Sequence, residues 1–345
     1  MRIWIDALTP KQARLAAALY TRLVKEGYEV LVTARSYDFT ESVLRRHGVN
    51  YVSVGRHGGE SLKGKLEADI ERMAALLRII DEYKPDVLVS YPSPSATRVA
   101  FGLSIPIIVF SDSPHSVPPH RLTIPLADVL IHSALVPRHH FEWYVLTRFT
   151  RVVSFYGIEE WEWIRGYRCN EGLLEDMGLE PNKYIVLRVP ERKAVYYQGR
   201  SIPNVNEIVD AIVKNGYQVV IFPRYEDDLQ HLRHMVERYP KMVKIVWGEA
   251  VETLDLYCHA AGVVTGGATM AREAALMCKP AISLYPTHIN QVLEKMGFPI
   301  RNIESVDKPD DIVTILEESR GLCPAEMLSR FEVPSDVLIR VLESI

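Results

Sequence analysis

At 345 residues the chain is long for a single hydrophobic core, and two domains are expected. An apolar fraction of 48% and a charged fraction of 24% are ordinary for a water-exposed globular protein. A net charge of −4 argues against broad nucleic-acid binding, which needs a basic surface. No apolar run approaches the roughly 20 residues that span a bilayer. Arg2–Asp6 enters a charged strand directly, with no leader pattern, so a cytoplasmic protein is expected. The four cysteines, Cys169, Cys258, Cys278 and Cys323, stand singly with no metal-ligand spacing. Neither a zinc site nor a disulfide framework is expected from them, and no metal is assigned.

In chain order, Ile3–Asp6 reads as a first strand, and Pro10 opens a helix that runs to about Glu26 before Gly27. Val30–Thr33 is a second strand, Glu41–Arg46 a helix and Tyr51–Val54 a third strand. Arg56-His-Gly-Gly59 is a loop, made basic by Lys63 and Lys65, and a long amphipathic helix follows from about Leu66 to Tyr83. Val87–Val89, Ile107–Phe110 and Val129–Ile131 complete six strands, with a helix near Arg98–Leu103. Phe141–Tyr167 is dense in aromatics and is read as the passage between domains, its rings packed there; the alternative is a peripheral membrane contact.

A second alternating block has strands at Tyr184–Arg188, Val219–Phe222, Lys244–Val246, Gly262–Val264 and Ala281–Leu284, with helices between them. Continuous Val, Ile and Leu runs alternating with helices indicate doubly wound parallel sheets covered on both faces. The fold class is therefore α/β, with two Rossmann-like domains. The division is 1–167 for the first, 168–330 for the second and 331–345 for a terminal helix returning toward the first. Ligands of such folds bind at the carboxyl ends of the strands, here in a cleft between the two domains.

The stretch around which the second block is organised is AGVVTGGATMAREAALMCKPAISLYP, Ala261–Pro286. A strand turns sharply through Gly266 and Gly267 into a helix near Met270–Met277, with Ala268 and Thr269 among the expected ligand contacts. Glycines let backbone approach a ligand closely, and the first helical N–H groups carry partial positive charge, so phosphate is the expected guest. Glu273 follows nearly two turns later, placed to accept hydrogen bonds from a ribose diol.

This string resembles the nucleotide-binding segment of GT-B-fold glycosyltransferases, above all the N-acetylglucosaminyltransferase of peptidoglycan lipid-intermediate synthesis, and the UDP-GlcNAc 2-epimerases are similar. The resemblance implies that Gly266 and Gly267 face a diphosphate and that Glu273 holds the ribose. It also puts Asn290 and Gln291, after the next strand, at the sugar. Met1-Arg-Ile-Trp-Ile-Asp6, Gly27-Tyr-Glu-Val30, Thr33-Ala-Arg35 and Tyr156-Gly-Ile-Glu-Glu160 look like the strings of an uncharacterised, largely archaeal GT-B-like family. Membership there implies the fold and no activity.

Asp112 and His115 follow the fifth strand, and an Asp three residues before a His can orient it or tune its pKa. His115, Arg121 and Asp128 resemble an epimerase run in part, without its glutamates. Arg188 and Glu191 end the first strand of the second block, where a cation would meet the diphosphate. Asp6 and Lys11 occupy the slot where the peptidoglycan transferase carries a glycine-rich loop. Trp247-Gly248 would lie near the base of a bound nucleotide.

The expected function is metal-independent glycosyl transfer from a nucleotide-diphosphate sugar, UDP-linked, to an unidentified acceptor. The second domain would hold the donor and the first the acceptor, with Asp112 or His115 as base, and with no cofactor beyond the substrate itself. An epimerase or hydrolase of the 2-epimerase type is the alternative, with Asp112 its best acid/base candidate. A non-catalytic nucleotide-sugar-binding protein is the third reading.

Overall fold

The computed structural model describes residues 1–59, 61–190, 204–248, 251–285, 287–303 and 308–345. They form two compact units. The first comprises Met1–Trp163 with Arg330–Ile345, and the second Ile164–Ser329.

The strands of the first unit are β1 (Arg2–Ala7), β2 (Glu29–Ser36), β3 (Tyr51–Arg56), β4 (Val87–Ser90), β5 (Ile107–Ser111), β6 (Val129–Ser133) and β7 (Arg151–Phe155). All pair in parallel, in the order β3-β2-β1-β4-β5-β6-β7. Its helices are α1 (Pro10–Lys25), α2 (Thr40–Arg46), α3 (Leu62–Tyr83), α4 (Pro94–Gly102) and α5 (Val117–Arg121), and α6 (Trp161–Ile164) ends at the division. Pro10 sits in the first turn of α1, and the Thr9 side chain caps it by accepting from the Gln12 amide. That cap delivers Lys11 to the carboxyl edge of β1.

β4 and β5 are buried along their whole length, as strands covered by helices on both faces must be. Ile3, Ile5, Val32, Val89, Ile108, Phe110 and Ile131 meet Ala13, Ala16 and Leu19 of α1 and the terminal helix's Val337, Leu338 and Val341 in one core.

β7 comes from the aromatic-rich stretch read as an interdomain passage. It is a sheet-edge strand with only Phe155 fully buried, so its pattern does not stand out in sequence. The rings of that stretch divide. Phe141 and Phe155 are core, whereas Trp143 is 90% exposed and Phe149 is also exposed. The expectation that the rings pack as a group is corrected.

In the second unit α7 (Gly172–Met177) precedes β8 (Tyr184–Arg188), and then come α8 (Val205–Lys214), β9 (Gln218–Phe222), α9 (Glu226–Arg238) and β10 (Val243–Ile245). They are followed by α10 (Thr253–His259), β11 (Gly262–Thr265), α11 (Ala268–Leu276), β12 (Ala281–Ser283), α12 (His288–Lys295), β13 (Ile300–Asn302), α13 (Asp311–Glu318) and α14 (Ala325–Ser329). α15 (Pro334–Leu342) belongs to the first unit. The second sheet is parallel in the order β10-β9-β8-β11-β12-β13. Ile185, Leu187, Val219, Ile221, Val264 and Ile282 pack against Ile208 and Ile212 of α8, Leu232 of α9 and Ile312 and Leu316 of α13.

The cysteines correct a second expectation. All four are paired, Cys169 with Cys258 and Cys278 with Cys323. Both bridges lie in the second unit. They close sequence separations of 89 and 45 residues, which no local spacing rule detects.

Candidate functional site

In each sheet the strand order reverses beside the first strand of its unit, between β1 and β4 and between β8 and β11. Chemistry gathers at the carboxyl ends of these strands.

In the first unit four strands deliver side chains to one point. Lys11 follows β1, Tyr91 follows β4, Asp112 follows β5, and Glu159 and Glu160 follow β7. Lys11 Nζ donates to Asp112 Oδ2 at 2.5 Å. The same ammonium lies 3.7 Å from Glu159 and 3.4 Å from Glu160, both fully buried. It also sits 5.4 Å from the Tyr91 ring centroid. Asp112 Oδ1 accepts from the Ser113 hydroxyl at 2.7 Å.

Three carboxylates around one ammonium cannot all ionise cheaply out of water. Burial, opposed by Lys11 and reinforced by Asp112 and Glu160, pushes the Glu159 carboxyl up to about 7. Burial and the same three carboxylates hold the Tyr91 phenol well above its ordinary value. Lys11, Tyr91 and Asp112 line a cavity of about 220 Å³, with Gln12, Ser113 and His120 on its other walls. Its wall offers the Asp112 carboxylate and the Lys11 ammonium, with the Glu159 carboxyl, pushed up to about 7, buried behind them.

Asp112 is thus held by Lys11, which the sequence did not pair with it. His115 is exposed on the following loop, and Arg121 is exposed on α5. The histidine on the cavity wall is His120. Its Nδ1 is 2.6 Å from the Ser116 carbonyl, which only accepts, so Nδ1 carries the proton. Nε2 then accepts from the Ser111 hydroxyl at 2.7 Å. Burial lowers the His120 pKa, so the ring is neutral. Asp128 has a local task, accepting from the Ile107 amide at the start of β5. Glu159 and Glu160 were present in the Tyr156–Glu160 string, yet nothing in the sequence says that they turn inward to meet Lys11.

In the second unit the glycine turn joins β11 to α11. Gly266 N–H donates to the Arg188 carbonyl at 3.1 Å, and a Cβ on Gly266 would fall 2.2 Å from Pro190 Cα. Gly266 is required by this backbone contact. Gly267 is the N-cap of α11 and provides no side-chain cap, and a Cβ there would meet nothing closer than Thr265 Oγ1 at 3.8 Å. Gly267, Ala268 and Thr269 are all partly exposed. The turn therefore opens at Gly267, where an anion would meet first-turn amides.

Glu273 is 2% exposed, on the buried flank of α11. Neighbouring Arg272 donates through Nε to Asn290 Oδ1 at 2.7 Å and through Nη2 to Thr287 Oγ1 at 3.1 Å, tying α11 to α12. Asn290 is fully buried in that contact, and Gln291 is exposed beside it. Arg188 ends β8 half-buried, with Nη1 on the Pro223 carbonyl at 2.9 Å. Glu191 lies outside the described residues, as do Tyr196 and Tyr197. Among the described residues no cluster of His, Cys, Asp and Glu is arranged to hold a metal ion, and no helix is long and apolar enough to cross a membrane.

Residues 1–325 match the family model described as "Protein of unknown function (DUF354)". An uncharacterised protein of Methanocaldococcus jannaschii, MJ0665, is 28% identical over 327 residues, 92% of each chain. Among solved structures, the UDP-GlcNAc 2-epimerase of M. jannaschii, in complex with UDP-GlcNAc and UDP, superposes with a TM-score of 0.69 at 15% identity over all of both chains. The Anabaena protein HepE, in complex with UDP and glucose, gives 0.64 at 15% identity, again over all of both chains. S. aureus MnaA, in a co-structure with UDP, gives 0.70 at 14% identity over 99% of this chain and 96% of that one. At these identities the likeness shows the fold, two Rossmann-like parallel-sheet domains of the GT-B-like type.

Proposed function

We propose that this chain, which belongs to the DUF354 family of proteins of unknown function, acts on a nucleotide-diphosphate sugar, UDP-linked, by acid/base chemistry of the epimerase or hydrolase type. The observation that carries the reading is the Lys11–Asp112 pair lining the first-unit cavity, with Glu159 and Glu160 buried around the same ammonium. Changing the configuration of a sugar carbon asks one group to take a proton and another to return one. Asp112 is the base, and Lys11 offsets charge as the proton moves. Glu159 behind them keeps the cluster's proton near neutral pH. The second unit recognises the nucleotide, with the diphosphate at the Gly267 turn and Arg188 as the flanking cation. Complexes of similarly folded proteins with UDP and UDP-GlcNAc support that choice of ligand.

A second reading, glycosyl transfer from the same donor, is favoured by one observation. A larger cavity of about 500 Å³ adjoins the Lys11–Asp112 cavity and offers room for an acceptor. Transfer would use Asp112 to deprotonate the acceptor hydroxyl.

Titration calorimetry with UDP and UDP-GlcNAc, followed by incubation of UDP-GlcNAc alone with chromatographic analysis, tests both readings. Binding followed by appearance of the 2-epimer or of free UDP is the expected result. Binding without product until an acceptor is added would favour transfer, and absence of binding by any UDP-sugar would remove both.

A further inference from the structure

The larger cavity has a composition of its own. It lies wholly within residues of the first unit and shares Thr9, Gln12, Pro92 and Pro119 with the smaller one. Arg35, Arg56, Lys65 and Arg72 line it, against a single lining carboxylate, Asp69.

Of these cations Arg72 is already satisfied. It is buried, with Nη2 2.6 Å from Asp6 Oδ1 and Nη1 3.2 Å from Asp6 Oδ2. It donates also to Ser95 Oγ at 3.0 Å and to the Val54 carbonyl at 2.8 Å. Arg72 is therefore scaffold.

Arg35 stands differently. Its Nη2 reaches the Leu8 carbonyl at 3.1 Å, while its Nε is out of water with no hydrogen-bond partner. Its guanidinium lies 5.2 Å from the Tyr37 ring, which stacks on His57 at 4.6 Å. Burial first, and then the charge of Arg72, lower the Arg35 pKa against the opposing pull of Tyr37, Asp6 and Asp69.

Arg56 and Lys65 are exposed and converge on the cavity because the loop after β3 abuts the first turn of α3. A Cβ on Gly58 would fall 2.2 Å from the Gly64 carbonyl oxygen, and a Cβ on Gly64 would fall 2.4 Å from that of Gly58. Only glycine at both positions permits the approach. Glu67 and Glu71 face a neighbouring hollow that shares Arg56 and His57, and Glu67 is held by Lys63 at 3.6 Å. Their charge falls on the Arg56 side of the cavity and away from Arg35.

Two further lining residues are apolar and open to water, Leu66 at 62% and Leu122 at 58% exposure. Large aliphatic side chains exposed beside a basic cavity suit neither a free inorganic anion nor the hydroxyl-rich body of a sugar. They suit a ligand that carries charge at one end and hydrocarbon at the other.

We propose that this cavity binds the phosphate or diphosphate head of an amphiphile, held by Arg35, Arg56 and Lys65, with its apolar chain leaving over Leu66 and Leu122. The site stands independently of the acid/base reading, because its ligand needs neither nucleotide nor sugar.

Calorimetry with three probes tests it: decyl phosphate below its micellar concentration, inorganic phosphate, and decyl maltoside, which has the tail without the charge. Decyl phosphate is expected to bind one per chain, at least tenfold tighter than inorganic phosphate, and decyl maltoside not to bind. Arg56→Ala with Lys65→Ala should weaken decyl phosphate at least tenfold. Leu122→Ser with Leu66→Ser should bring it down to the affinity of inorganic phosphate. All four side chains are exposed, so the variants keep the fold, which circular dichroism checks. Decyl phosphate binding no tighter than inorganic phosphate would overturn the proposal. So would unchanged affinity in the arginine and lysine double variant, or association only with vesicles of anionic lipid and never with monomeric probe. Because none of these probes contains UDP, failure here leaves the sugar-nucleotide reading untouched, and the converse holds.

Discussion

Lys11 Nζ and Asp112 Oδ2 stand 2.5 Å apart although 101 residues separate them in sequence. One comes from the first turn after β1 and the other from the end of β5, with β4 between those two strands in the sheet. Parallel pairing brings strand ends together that sequence keeps far apart, and this contact is where the acid/base reading is concentrated. Asp112→Asn keeps the shape and removes the proposed base. Turnover of a UDP-sugar should fall roughly a thousandfold, the scale of a lost general base. UDP affinity, measured by calorimetry, should be unchanged. A variant that retains full turnover would place the base elsewhere.

Lys11→Met tests the electrostatics. Removing the ammonium leaves Asp112, Glu159 and Glu160 without their shared cation, at a cost of about 3 kcal/mol or more for a buried cluster. Denaturant midpoints should show the full loss at pH 8 and a smaller one at pH 5, where Glu159 holds its proton. A loss that does not depend on pH would mean that the lysine acts by packing alone.

Glu159 gives a second pH signature. Its pKa is about 7 in the fold against an ordinary 4.5, so the native state holds the proton more tightly than the unfolded chain between those values. Stability from this group is complete below pH 4.5 and is lost as pH rises through 7. Glu159→Gln cannot ionise. It should flatten the stability profile between pH 5 and 7 and gain on the wild type at pH 8. A parallel decline in both proteins would contradict the burial argument.

The two disulfides predict a reduction effect confined to the second unit. Loops of 89 and 45 residues correspond to about 4.6 and about 4 kcal/mol of loop-closure entropy. For a unit of this size, loss of one bridge should lower the denaturation temperature by about 10 °C. Calorimetry with and without a phosphine reductant measures this, and Cys278→Ala with Cys323→Ala should reproduce part of it. Identical transitions in both conditions would show that the bridges contribute nothing.

Much of the architecture was legible in the sequence. The runs Ile107–Phe110, Val129–Ile131 and Val219–Phe222 are unbroken apolar segments, and α1, α4, α5 and α15 carry proline in the first turn. What stayed hidden has physical causes. β7 sits at a sheet edge and buries one side chain fully, so no periodic signal marks it. Asp112 was legible as a candidate because it directly follows a buried strand. Lys11 was noted only for its slot, and Glu159 and Glu160 only for resemblance, because two adjacent glutamates in a turn ordinarily face water. His115 and His120 cannot be ranked by sequence, since the turn into α5 decides which ring is buried. Cysteine pairing across 89 residues depends on how α10 packs, which spacing does not encode.

The central claim is proton transfer to and from the sugar at the Lys11–Asp112 cavity. Incubating UDP-GlcNAc with the protein in deuterium oxide and following the sugar carbon-2 proton by NMR tests it most directly. The account predicts that this proton is replaced by solvent deuterium with the wild type and retained with Asp112→Asn. A wild-type protein that binds UDP-GlcNAc and leaves the carbon-2 proton in place would contradict it.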